Sequence, residues 1–217
     1  MCIIVLCVLI IEIRKQDETF CPTHLNWYFC HRILNIRLMQ NEITVYGKKF
    51  RVSLPAEKIQ ARVAELSSQI NADLAGRDVV FLCILNGSFV FASDLLRGID
   101  FLCKISFVKF SSYEGQKSTG KLRELIGLNE DLKGKTVVIV EDIVDTGKTM
   151  VDLLEYLKKF EPADVRISTL MYKPESCCKD LKIDYFGFSI PNDFIIGYGL
   201  DFDGLGRNLK DIYTIVE

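Results

Sequence analysis

The stretch from Thr136 to Met150, TVVIVEDIVDTGKTM, constrains this chain more than any other. Its first five residues, Thr136 to Val140, are all β-branched. A run that short and continuous fits a strand buried on both faces of a parallel sheet. Glu141 and Asp142 follow directly, then Asp145, Thr146, Gly147, Lys148 and Thr149. Beyond them the period turns helical, with Met150, Val151, Leu153, Leu154 and Leu157 on one apolar face. The unit is therefore strand, acidic–hydroxyl–glycine loop, helix. Such a loop lies at the carboxyl end of a strand, where open α/β sheets bind ligands. Its backbone N–H groups and the helix N-terminus can hold a phosphate. Thr146 and Thr149 add hydroxyl donors, and Gly147 lets the backbone approach closely. A Walker A loop needs G-x-x-x-x-G-K-[ST], and its first glycine is absent here. Paired carboxylates beside a phosphate cradle call for a ligand with hydroxyls, or for a divalent cation. A ribose phosphate offers hydroxyls and phosphate together.

The regular pattern begins near Met39. Ile43 to Val52 reads as two short strands around Gly47-Lys48. Ser53 is placed to N-cap a helix with Pro55 in its first turn. Ile59, Val63, Leu66, Ile70 and Leu74 repeat at helical spacing up to Gly76. Val79 to Leu85 is an apolar strand, Asn86-Gly87-Ser88 a turn, and Phe89 to Arg97 a short helix ended by Gly98. Leu102 to Phe110 is a further strand. Ser111 to Asn129 is polar and aperiodic apart from Leu125 to Leu128; a loop of that length in a compact domain is usually functional. After the helix closed by Pro162, Val165 to Tyr172 is a strand, and Asp184 to Val216 gives short strands broken by Pro191, Gly197 and Gly199. Strands alternating with helices predict an α/β fold on a parallel sheet.

The 217 residues suffice for one well-buried domain. Hydrophobic residues at 49% give an ordinary globular balance, and a net charge of −2 argues against a general nucleic-acid surface. Of the eight cysteines, Cys83 and Cys103 sit inside apolar strand runs and read as buried small hydrophobes in a reduced compartment. Cys177 and Cys178 are adjacent and cannot form a normal zinc pair. Both histidines, His24 and His31, precede residue 32, so serine–histidine and cysteine–histidine mechanisms are excluded from the rest of the chain. Residues 1–38 read differently from the remainder. Met1 to Ile13 is nearly all apolar but shorter than the roughly 20 residues of a membrane span. It lacks a basic flank before it and a cleavage site after it. Cys21, His24, Cys30 and His31 fit no standard zinc-finger spacing. The expectation is an N-terminal extension over 1–38, from a start codon placed too early or from disorder, and a domain over 39–217.

Glu141-Asp142 with Asp145-Thr146-Gly147-Lys148-Thr149 resembles the 5-phosphoribosyl-1-pyrophosphate (PRPP) signature of type I phosphoribosyltransferases. The opening Glu-Asp and the acid at 145 are similar to the hypoxanthine-guanine branch of bacterial type. The resemblance runs from about Met39 to Glu217. It implies a type I phosphoribosyltransferase core, with a small hood formed by the N-terminal and C-terminal segments. It implies a purine salvage transferase that uses PRPP and a 6-oxopurine, with Mg²⁺ as cofactor. Leu85-Asn86-Gly87-Ser88 matches the first phosphate loop, so Asn86 and Gly87 join Glu141, Asp142, Thr146, Gly147, Lys148 and Thr149 in PRPP binding. In that family the peptide before this glycine can be cis. Ser111-Ser112-Tyr113 resembles the mobile lid, with Ser112 and Tyr113 closing over the pyrophosphate. Lys173 corresponds to the lysine that bonds the purine O6; a donor-only side chain favours a carbonyl there. Phe194 would stack on the base and the Ile195 backbone would read its edge. Asp201 matches a magnesium ligand, with Glu141 and Asp142 completing the metal set. Arg207 matches a pyrophosphate ligand. Asp145 would face N7 and handle its proton as the catalytic group. A homodimer or homotetramer in the cytoplasm is implied, with neither nucleic acid nor membrane as partner. The competing readings are a phosphoribosyltransferase for another base such as xanthine or adenine, and a regulatory RNA-binding protein on the same fold.

Overall fold

A computed structural model of the chain describes residues 41–111, 123–128 and 130–216. The larger of two sheets orders its strands β5-β4-β3-β6-β7-β8, where β3 is Val79–Ile84, β4 Lys104–Ser111, β5 Arg123–Ile126, β6 Thr136–Val144, β7 Asp164–Tyr172 and β8 Tyr185–Ser189. Five of these run parallel; β5 alone pairs antiparallel, with β4. The expected parallel-sheet α/β core is thus present. All six residues of β3 are buried, as a central strand covered on both faces requires.

Alternation along the strands feeds two cores. On one face Phe81, Cys83, Val138 and Val140 meet helices α1 (Ala56–Leu74) and α2 (Phe89–Arg97). On the other, Val80, Leu82, Val137 and Ile139 meet Met150, Leu153 and Leu157 of α3 (Lys148–Leu157). Each fully buried side chain of this size contributes about 1.5–3 kcal/mol. From β3 the chain passes to β4 on one side, then returns to β6 on the other. That reversal opens a crevice at the carboxyl ends of β3 and β6, the place where such sheets bind ligands.

The second sheet is the expected hood. Strands β1 (Glu42–Val45) and β2 (Lys48–Leu54) join β9 (Ile195–Ile196) and β10 (Ile212–Val216) in the order β1-β2-β10-β9. β10 pairs antiparallel with both neighbours, setting Tyr213 opposite Val52 and Ile196. Phe50, Ile196 and Tyr213 form its small core.

Several local expectations need correction. The hairpin turns at Tyr46-Gly47, not Gly47-Lys48, with φ of 49° and 76°. Two positive φ values match the tight hairpin turn whose twist suits the flanking strands. Ser53 does not cap α1. It stays in β2, and its hydroxyl donates to the Ile212 carbonyl at 3.3 Å. The cap comes instead from Asp211, whose Oδ1 accepts the Ala56 N–H at 2.7 Å. Strand β6 extends to Val144, so Glu141 and Asp142 lie in the sheet and not in the loop. The polar segment after β4 contains β5. Val151 is 45% exposed, so α3 buries a narrower stripe than expected. Among the described residues no helix is long and apolar enough to cross a membrane.

Candidate active site

Three segments converge at the crevice. The first follows β3, where the Leu85–Asn86 peptide is cis, one bond earlier than the peptide expected to be so. Asn86 is exposed and Gly87 buried. A Cβ on Gly87 would fall 1.4 Å from Asp142 Oδ2 and 2.1 Å separates the Gly87 carbonyl oxygen from a Cβ on Gly199. Gly87 is therefore held between the end of β6 and the hood loop, with no space for a side chain on either glycine.

The second segment is the end of β6 and the loop after it. The Asp142 N–H donates to Glu141 Oε1 at 3.3 Å, and the Ile143 N–H donates to Asp142 Oδ1 at 2.8 Å. Burial, then the adjacent Asp142 charge, raises the Glu141 carboxyl well above the usual carboxylate range. Burial raises Asp142 as well, opposed by hydrogen bonds and by attraction to Arg207. Beyond them, Gly147 adopts φ +76° as the residue before α3. A Cβ there would lie 2.9 Å from both Cys177 Sγ and Leu181 Cδ2, so glycine is required by conformation and by space. The Lys148 N–H turns back to Thr146 Oγ1 at 3.4 Å. A cavity of about 120 Å³ is lined by Glu141, Asp145, Thr146, Gly147 and Thr149, with Ile143, Val144 and Met150. Lys148 borders this loop as an exposed side chain. The amides at the start of α3 and the Thr hydroxyls give the cavity the donors an anion needs.

The third segment brings the hood. Arg207 Nη1 donates to the Gly199 carbonyl at 2.7 Å, and Nη2 pairs with Asp201 Oδ1 at 2.6 Å. The Gly199 N–H returns to the Arg207 carbonyl at 3.0 Å. Asp201 also accepts the Gly204 N–H at 2.8 Å. Asp201 is thus occupied by Arg207, and Glu141, Asp142 and Asp201 do not gather into one cluster. No group of three or more acidic, histidine or cysteine side chains among the described residues forms a metal cage.

Lys173 and Asp145 meet at the mouth of the same crevice. Lys173 Nζ bonds Asp145 Oδ2 at 3.0 Å, with the lysine side chain 9% exposed and the aspartate 49%. The Lys173 N–H donates to the Val144 carbonyl at 3.0 Å, which ties the start of the turn after β7 to the end of β6. Phe194 is 45% exposed; Phe202 meets it edge-on at 5.5 Å and Phe50 sits tilted at 6.3 Å. The Ile195 side chain is buried and its backbone is held in β9 against Thr214. Ser112 and Tyr113 lie outside the described residues.

One part of the site went unread in the sequence. Tyr198, with φ 48°, donates its hydroxyl to Asp94 Oδ2 at 2.6 Å, and Gln60 Nε2 donates to the same oxygen at 2.6 Å. This triad, with Tyr198 buried and Gln60 exposed, ties α1 and α2 to the loop that carries Gly199. The glycines on both sides of Tyr198 were its only sequence signal.

Residues 54–203 match the phosphoribosyl transferase domain. That match spans most of the chain, and the chain belongs to the phosphoribosyltransferase family. Its relatives place it among the hypoxanthine-guanine branch. It is 41% identical over 171 residues to the hypoxanthine-guanine phosphoribosyltransferase of Mycobacterium bovis, covering 76% of this chain and 85% of that protein. It is 38% identical over 168 residues to the hypoxanthine phosphoribosyltransferase of Escherichia coli K12, covering 76% and 94%. A crystal structure of a hypoxanthine-guanine phosphoribosyltransferase from Bacillus anthracis superposes with a TM-score of 0.72 at 40% identity, covering 76% of this chain and 98% of that one.

Proposed function

We propose that this protein is a purine salvage enzyme. It transfers the 5-phosphoribosyl group from PRPP to N9 of hypoxanthine or guanine, giving IMP or GMP and pyrophosphate. The observation that carries the reading is the Lys173–Asp145 pair, 3.0 Å apart at the mouth of the crevice. A donor-only ammonium beside a carboxylate matches the carbonyl and N7 edge of a 6-oxopurine and mismatches the amino group of adenine. Phe194 offers an exposed ring for the base to stack on, and the Ile195 backbone reads its edge.

The ribose phosphate sits on the loop Asp145 to Thr149, its phosphate held by amides, the Thr146 and Thr149 hydroxyls and Lys148. Glu141 and Asp142 face the ribose hydroxyls. Gly87, with Asn86, lines the pyrophosphate, and Arg207 supplies a planar fork for it. Asp145 holds the purine N7 proton as the bond at N9 forms.

The donor set fits a divalent cation. Among the described residues, the ion pairs of the site use Asp145 and Asp201, while the recessed Glu141 and Asp142 form none. Glu141 and Asp142, joined by Asp201 once Arg207 turns to pyrophosphate, would hold Mg²⁺, which would supply positive charge against the leaving group. The reading extends to a homodimer or homotetramer working in the cytoplasm, where the free thiols at Cys83, Cys103, Cys177 and Cys178 stay reduced.

The test is a PRPP-dependent assay against a panel of free bases, with and without EDTA. Hypoxanthine and guanine are expected to react, adenine poorly, and EDTA to stop turnover. Efficient use of adenine with none of hypoxanthine overturns the base assignment. Full activity in excess EDTA overturns the cation.

A further inference from the structure

The turn that leaves β7 at Lys173 carries two adjacent thiols that the proposed reaction does not use. This turn is bound to the phosphate loop twice. The Lys173 N–H donates to the Val144 carbonyl at 3.0 Å, and the Cys178 N–H donates to the Thr146 carbonyl at 3.1 Å. Inside the turn the Cys177 N–H returns to the Lys173 carbonyl at 3.1 Å. The turn therefore joins the purine lysine to the loop that would hold the ribose phosphate.

Both sulfurs point at that loop. A Cβ built on Gly147 would lie 2.9 Å from Cys177 Sγ and 3.1 Å from Cys178 Sγ. Burial, then the neighbouring Cys178 thiol, raises Cys177 above the ordinary thiol range. Both are free; Cys177 is 8% exposed and Cys178 is open to solvent. The loop has no slack at this point, because Gly147 is already at φ +76° with sulfurs where a methyl group would not fit.

We propose that Cys177 and Cys178 form a dithiol site for a soft trivalent centre of the arsenic class, and that filling it displaces the phosphate loop. The coupling half of this inference rests on the PRPP reading of that loop. Thiolate sulfur favours soft centres over hard ones. The first bond forms at exposed Cys178. The second is then intramolecular, at the high effective concentration that adjacency provides. An organoarsonous centre R–As(OH)₂ exchanges both hydroxyls for sulfur. Two As–O bonds break, two As–S bonds form, and each hydroxide leaves as water with one thiol proton. Arsenic stays trivalent and no electrons move. A reagent on Cys178 alone can swing into solvent. A bridge cannot, because Cys177 is packed against Gly147, so the added atom pushes on the residue that starts α3.

The experiment uses the full reduced chain, phenylarsine oxide as probe and intact mass as readout. Because the other cysteines also bind the probe, wild type is compared with Cys178→Ser, which keeps the backbone bond to Thr146, and with Cys177→Ala. Wild type is expected to carry one adduct more than either variant. A simple dithiol should reverse that adduct where 2-mercaptoethanol does not. Saturating Mg²⁺ and PRPP should slow its formation, and the adduct should raise the Kd for PRPP at least about tenfold, the loss expected from one hydrogen bond to a charged group. Equal adduct numbers in wild type and variants overturn the site. Formation at a rate indifferent to PRPP, or an unchanged Kd, overturns the coupling. None of these readouts requires turnover, so a failed base assay leaves the dithiol decision intact.

Discussion

Lys173 and Asp145 neutralise each other at 3.0 Å, but from unequal positions. The lysine is nearly buried and the aspartate half exposed, so the aspartate is the partner that can respond to a ligand without a large desolvation cost. Asp145→Asn keeps the shape of the side chain, cannot take a proton, and leaves the Lys173 ammonium without its counter-charge. Its kcat is expected to fall by about 10²–10⁴, the usual contribution of a positioned general acid or base. The Kd for PRPP should change little, because the loop amides and Thr hydroxyls remain. Steady-state kinetics beside calorimetry check this, and a kcat within about twofold of the parent removes Asp145 from proton handling. Glu141 and Asp142 have a different consequence. Burial raises both, so the folded state holds protons at a pH where the unfolded chain has released them. Their contribution to stability without ligand is therefore fully present below the ordinary carboxylate range and is lost as pH rises through the folded-state values. Glu141→Gln removes the larger of the two shifts. Its melting temperature relative to wild type should be higher at pH 8 than at pH 5 in the absence of ligand, and the gain should vanish with Mg²⁺ and PRPP present. An equal difference at both pH values contradicts the burial argument.

At the level of elements, the hood loop is held from outside the crevice. Tyr198 stands between two glycines that admit no side chain: a Cβ on Gly197 would meet the Asp211 carbonyl at 2.0 Å, and one on Gly199 the Gly87 carbonyl at 2.1 Å. Its hydroxyl on Asp94, shared with Gln60, fixes this crowded backbone against α1 and α2. Gly199 and Arg207 in turn hold one another through two hydrogen bonds. Tyr198→Phe keeps the ring and loses the short bond to Asp94, with the longer 3.4 Å bond accepted from Gln60. The expected result is a raised KM for PRPP, about three- to tenfold for one hydrogen bond of roughly 1 kcal/mol, with the purine KM unchanged. A change confined to thermal stability gives Tyr198 a purely structural place. These contacts explain what the sequence could and could not reveal. The run Thr136 to Val140, the loop residues Asp145 to Thr149 and Lys173 before Pro174 were legible because residue type and spacing carry their chemistry. Asp211 as the cap of α1 was not, since Ser53 has the better local position and loses only because β2 continues through it to pair with β10. Nor could spacing show that Asp201 spends its charge on Arg207, or that Glu141 and Asp142 sit within a strand. Asp211 reaches Ala56 across 155 residues, and partner choice at that separation is a tertiary fact.

For the whole molecule, the hood decides where the working chain has to begin. Its sheet starts with β1 at Glu42, and its centre is the pairing of β2 with β10, which sets Phe50 against Ile196 and Tyr213. β10 also pairs with β9, adjoining Phe194, and the residue before it, Asp211, caps α1. The hood thus links the first described strand to the last, and through Asp211 to the helix that packs on the main sheet. Each candidate site residue lies between Asn86 and Arg207, and the family match spans 54–203. A chain begun at Met39 retains β1, the Tyr46-Gly47 turn and both neighbours of β10. It loses both histidines and four of the eight cysteines, Cys2, Cys7, Cys21 and Cys30, none of which the proposed mechanism uses. It also loses the apolar run Met1 to Ile13, whose exposure would favour association over catalysis. We propose that residues 39–217 are the functional domain. The shortened chain is expected to match the full one in kcat and KM, to melt at the same temperature, and to be at least as soluble. A start at Lys48 is the informative contrast, because it removes β1 and uncovers an edge of β2. That chain should melt lower and lose affinity for purine through the Phe50–Phe194 contact. If the Met39 chain loses activity while the protein made from its native gene has an intact mass that includes residues 1–38, those residues belong to the working enzyme and the domain begins before 39.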